Sequence, residues 1–67
     1  MTPRDVDAVV SSLEVNIEVL TEAIYDVLRS ASSAPDNEKV VLLEEEKRLS
    51  KARRSLEKAR ALLVDRS

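Results

Sequence analysis

The sequence predicts an all-α fold: an antiparallel two-helix hairpin that assembles into a four- or six-helix bundle. Three observations carry this. Leucines recur every seven residues at Leu42, Leu49, Leu56 and Leu63, with alanines three residues on at Ala52 and Ala59. Residues 3–31 repeat the pattern in bulkier side chains, and the only aperiodic stretch lies between the two. An apolar stripe on a charged helix has to be buried against something, and the two stripes can bury each other.

The first helix is expected from about residue 3 to 31. Thr2-Pro3 is a helix start, a hydroxyl able to accept an orphan amide hydrogen bond followed by proline at the first helical position, with Asp5 favoured by the helix dipole. Val6, Val10, Leu13, Ile17, Leu20, Ile24, Val27 and Ala31 then alternate spacings of four and three over nearly four heptads. Small polar residues ending in Pro35 turn the chain, giving a loop at about 32–36. Asp36 or Asn37 is expected to cap the second helix, about 37–65, with Arg66 and Ser67 frayed. Each helix would be about 42 Å long. The whole of 1–67 reads as one hairpin domain.

Folding the stripes together antiparallel gives layers of constant sum. Val6 meets Leu63, Val10 Ala59, Leu13 Leu56, Ile17 Ala52, Leu20 Leu49 and Val27 Leu42, large against small in alternate layers. The same register places Asp7 opposite Arg60 and Glu14 opposite Arg53, exposed pairs worth only ~0.2–1 kcal/mol each that select alignment more than they stabilise it. On the other edge it pairs Val9 with Leu62, Asn16 with Ser55, Ala23 with Arg48 and Ser30 with Val41. Widened by Ser12, Val15 and Val19, this edge is too apolar for water. The residues expected at a second interface are Val9, Asn16, Val19, Ala23, Val41, Ser55 and Leu62, with the first helix inside.

Composition limits what else the chain can do. Across 67 residues there is no Cys, His or Gly, and the one aromatic residue is Tyr25. A lone core of this size rarely supplies more than ~3–5 kcal/mol, and without disulfide or zinc ligands it is oligomerisation or docking on a partner that remains. Catalysis is not expected, because there is no Cys or His, no glycine-rich phosphate loop and no serine with an evident base. No cofactor or metal is expected either. Glu44-Glu45-Glu46 lacks the histidines that complete a di-metal carboxylate site in a bundle.

Two polar features carry two readings each. Asn16 and Ser55 either make a polar contact that fixes register or oligomer number, or sit solvated on a flank. Glu45, opposite Ile24 where alanine would continue the series, either accepts a hydrogen bond from Tyr25 or snorkels into water.

Charge is segregated although the net is only −2. Residues 1–31 hold six acids against two bases, and residues 47–60 hold seven bases against Glu57. Lys47, Lys51, Arg54 and Lys58 line the outer face of the second helix. Such a line is either a solvated face or a phosphate-backbone contact. The net acidity and the lack of an interleaved aromatic residue favour the solvated face. No run reaches the ~18 apolar residues of a membrane span and no signal peptide opens the chain, so a soluble, cytoplasmic protein is expected.

In size and layer pattern the chain is similar to Rop-type hairpins that dimerise into four-helix bundles, and it resembles the small helical chaperones of type III secretion in offering a partner-facing apolar strip. It also resembles de novo designed hairpins that self-assemble into multi-helix bundles. That resemblance covers the whole chain. It rests on the absence of Gly, Cys, His, Trp and Phe, on the starts at Thr2-Pro3 and Pro35-Asp36, and on Asn16 and Thr21 set among the aliphatics of the first helix. It implies that assembly is itself the function. The self-association partner would be a second or third copy of the chain, the alternative a helix of another protein, with nucleic acid ranked last.

Overall fold

A computed structural model describes residues 3–65, with side chains described over 4–65. The expected Thr2 cap and the frayed end at Arg66 and Ser67 lie outside the described residues. The chain forms α1 (Pro3–Ser32) and α2 (Asp36–Asp65), packed against each other as a helical hairpin, with no strand among the described residues. Both helices are as long as their heptad stripes, so the molecule is a rod of 50 × 14 × 13 Å.

The loop is tighter than expected. α1 runs on to Ser32, α2 begins at Asp36, and Ser33, Ala34 and Pro35 connect them. α1 closes with Ser33 N–H donating to Ser30 O at 3.4 Å and Ala34 N–H to Ala31 O at 3.3 Å, a narrowing typical of a last turn. Hydroxyls also serve its last carbonyls, Ser32 Oγ donating to Arg29 O at 2.7 Å and Ser33 Oγ to Ser30 O at 3.5 Å. At the start of α2 the capping position belongs to Pro35 rather than to Asp36 or Asn37. Its carbonyl accepts from Glu38 N–H at 3.0 Å and Lys39 N–H at 2.9 Å. Proline suits that place, since it has no amide hydrogen to leave unpaired and its ring bars Ala34 from continuing α1.

The seam between the helices follows the α1 stripe closely. Ile24 and Ala31 are buried, at 5% and 4% exposure, and Val6, Val10, Leu13, Ile17, Leu20 and Val27 are half-buried. On α2 the row Leu42, Leu49, Leu56 and Leu63 is half-buried, and so is Ala59. Ala52, expected opposite Ile17, is exposed. Residues four after the leucines also turn inward, and Glu46, Arg53 and Arg60 are all half-buried, the last beside Ala59. The reason is size. A leucine row accepts a flanking row at either three or four residues' distance, and the aliphatic stem of an arginine covers far more of the α1 stripe than an alanine methyl.

That rotation settles several polar groups. Arg53 Nη1 donates to Thr21 Oγ1 at 3.4 Å, while the Thr21 hydroxyl donates to Ile17 O at 2.8 Å. Arg53 Nε lies 3.9 Å from Glu57 Oε1, one turn along its own helix, and the expected pairs Glu14–Arg53 and Asp7–Arg60 do not close. Glu45 is exposed with no hydrogen bond to Tyr25, itself 61% exposed. It is Glu46 that lies half-buried, accepting a hydrogen bond from Ser50 Oγ at 2.7 Å.

Candidate interaction face

Turning Arg53 and Arg60 toward α1 leaves Ala52, Ser55 and Leu62 on the opposite flank of the leucine row, the flank from which Val41 also projects. These four residues are exposed, Leu62 at 67%. On α1 the corresponding flank carries Val9, Asn16, Val19 and Ala23. Ala23 is half-buried at its foot and the others are exposed, Val19 at 58%. Val15 stands exposed beside Val19. From Ala8 to Val19 this flank of α1, with Ser12 between its valines, is free of charge, and Glu22 and Asp26 follow seven residues after Val15 and Val19.

The α2 side of the face is not smooth. Three shallow depressions follow its margin. One of about 500 Å³ is lined by Ala59, Leu62, Leu63 and Asp65, one of about 210 Å³ by Glu45, Arg48 and Leu49, and one of about 350 Å³ by Asn37, Glu38, Val41 and Leu42. Each contains residues at i, i+3 and i+4: 38, 41 and 42; 45, 48 and 49; 59, 62 and 63. Those are three of the four residues that frame the hole for a knob in a coiled coil, and the depressions begin one and then two heptads apart. The equivalent triple at 52, 55 and 56 is Ala52, Ser55 and Leu56. Sequence reasoning found the outer members of these holes but not the holes themselves, although the seven-residue recurrence of Val41, Arg48, Ser55 and Leu62 was there to be read.

Asn16 and Ser55 are both exposed, and among the described residues their side chains make no hydrogen bond. The basic line is also exposed. Lys47, Lys51 and Arg54 surround one open depression of about 500 Å³ on the outer side of α2 that borders the face at Arg48; Glu44, Glu46 and Ser50 share its rim, and Lys58 lies outside it. Lys47 Nζ is 4.0 Å from Glu44 Oε1, so an acid already faces the first of these bases. Among the described residues no group of three or more His, Cys, Asp or Glu could hold a metal ion, and no helix is long and apolar enough to cross a membrane.

No family model matches the chain, and neither a curated protein nor a solved structure matches it.

Proposed function

We propose that the hairpin is a self-assembling module that associates with copies of itself through Val9, Asn16, Val19, Ala23, Val41, Ser55 and Leu62, and that this assembly is its working function. The observation that carries the reading is the surface the hairpin leaves uncovered. Its accessible area is 5280 Å² for 7.5 kDa, against about 4,250 Å² for a compact monomer of that mass. Among the described residues two side chains are buried and α2 contributes neither. A seam that thin leaves the apolar face as the place where further stabilisation has to come from. The likeness to designed assembling hairpins supports the same reading.

The test is molar mass by light scattering across a dilution series, with helicity followed by circular dichroism. The expected result is a constant mass of two or three chains with high helicity. Val9→Glu with Ala23→Glu should lower the mass, while Lys47→Glu, on the outer side of α2, leaves it unchanged. A wild-type monomer that loses helicity on dilution would overturn self-association. It would favour the other occupant the holes accept, a helix of another protein.

A further inference from the structure

The face also indicates how two copies meet. We propose that a second copy of this chain docks with its α2 against α1 of the first, the two-fold axis running along the helices and both loops at the same end. The inference rests on the self-association reading above and commits it to a dimer in which α1 and α2 alternate around four helices.

The first argument is registry. A two-fold axis parallel to the helices leaves every residue at its own level. The levels that face each other within the hairpin therefore also face each other between copies. Val9, Asn16, Ala23 and Ser30 recur every seven residues on α1. Their levels fall in turn at the Ala59–Leu62–Leu63 hole, the Ala52–Ser55–Leu56 triple, the Glu45–Arg48–Leu49 hole and the Glu38–Val41–Leu42 hole of the second copy's α2. Knobs and holes share one spacing and one register. Asn16 then meets Ser55 across the interface, giving two exposed polar groups a partner that the single hairpin does not provide.

Charge complementarity is the second argument. α1 carries six acids against two bases, so laying α1 on a second α1 brings two acidic helices together. Laid on α2, its acidic margin meets the basic centre. Glu22 comes level with Arg48, and Asp26 and Lys51 each lie within a turn of that level, on opposite sides of it. Among the described residues, Glu22, Arg48 and Lys51 have no ion-pair partner.

Area is the third argument. The excess over a compact monomer is roughly 1,000 Å² per chain, close to the ~800 Å² that one partner buries in a standard interface. One neighbour accounts for it. A ring of three, in which each chain contacts two neighbours, would call for more.

Because the chain has no cysteine, introduced thiols report contacts directly. An Asn16→Cys chain is mixed with a Ser55→Cys chain, equilibrated and oxidised, and the products are identified by mass. The expected main product is the Asn16–Ser55 cross-linked pair, with Val9→Cys and Leu62→Cys giving the same result at the far end. Predominant self-cross-linking of the Asn16→Cys chain would place α1 against α1 and overturn the arrangement. A light-scattering mass of three chains would do the same.

Charge exchange gives an independent readout. Glu22→Lys with Asp26→Lys, and Arg48→Glu with Lys51→Glu, should each weaken association roughly tenfold, and an equimolar mixture of the two variants should recover it. No recovery, with both variants still helical, overturns the proposal. If the unmodified chain is a monomer by light scattering, it is the self-association reading that fails. A dimer with the wrong cross-links removes only the arrangement.

Discussion

Glu46, Arg53 and Arg60 occupy the inward-turning positions beside the leucine row of α2, and their charged ends are accommodated in different ways. Glu46 accepts from Ser50, and Arg53 reaches both Thr21 and Glu57. The long contact to the Thr21 hydroxyl is a weak one, so the contribution of Arg53 comes mainly from its stem lying over the α1 stripe. Arg53→Met, which keeps that stem, should retain most of the hairpin's stability. Arg53→Ala should cost about 1 kcal/mol, since a half-buried side chain gives up only part of a full burial energy. Urea unfolding at one fixed chain concentration separates the two, and equal losses would show that the charge matters more than the stem. Ile24 is a simpler case. As the most buried large side chain, its truncation to alanine should cost ~2–4 kcal/mol, towards the lower end because a two-helix seam can close over the gap. Ala52→Glu tests the opposite expectation. At an exposed position it should leave the hairpin helical while lowering the assembled mass, which an alanine packed in the seam would not allow.

At the level of elements, the two helices meet through a connection that depends on few atoms. The Pro35 carbonyl anchors α2, and the proline ring limits the unfolded chain's freedom at the turn. Pro35→Gly keeps a carbonyl to accept those bonds but releases the unfolded chain, so a loss of about 1 kcal/mol is expected, read as a lowered thermal midpoint with helicity unchanged. Helix content and length were legible because a seven-residue repeat maintained over thirty residues has only one regular structure that satisfies it. The rotation of α2 was not. Leu42, Leu49, Leu56 and Leu63 accept partners on either side, and choosing the alanines followed a rule of apolar chemistry where side-chain reach decides. That one choice put Ala52 in the seam and drew the two cross-helix ion pairs, whereas Ala52 is exposed and neither pair closes; Glu45 lies in water, the second of its two readings. The cap was misread for a related reason. A side-chain oxygen at Asp36 or Asn37 is a visible signal, whereas a proline carbonyl has no residue-specific mark. The flank opposite the arginines was found from its valines, since its apolar character does not depend on which row faces α1.

For the whole molecule the deciding property is how charge is distributed along a rod 50 Å long. The net charge of −2 conceals an acidic α1 and an α2 whose seven acids and eight bases nearly cancel, with the bases gathered in its middle. The three ion pairs Asp26–Arg29, Glu44–Lys47 and Arg53–Glu57 are exposed or half-buried and each spans only three or four residues of one helix, so they add at most ~0.5 kcal/mol each and do not hold the two helices to each other. Under the proposed assembly, salt therefore acts mainly on how copies meet. If α1 of one copy lies on α2 of the other, opposite charges face across the interface, and raising sodium chloride from about 0.05 to 0.5 M shortens the screening length from roughly 14 to 4 Å. The dimer should then dissociate several-fold more readily, with helicity per chain falling only as monomer appears. If α1 lies on α1, six acids face six acids, and the same salt relieves repulsion and tightens the assembly. The sign of the change, followed by sedimentation or light scattering at concentrations spanning the dissociation midpoint, decides between the two arrangements. Sodium chloride is the salt to use, because sulfate would strengthen apolar burial and mask an electrostatic loss.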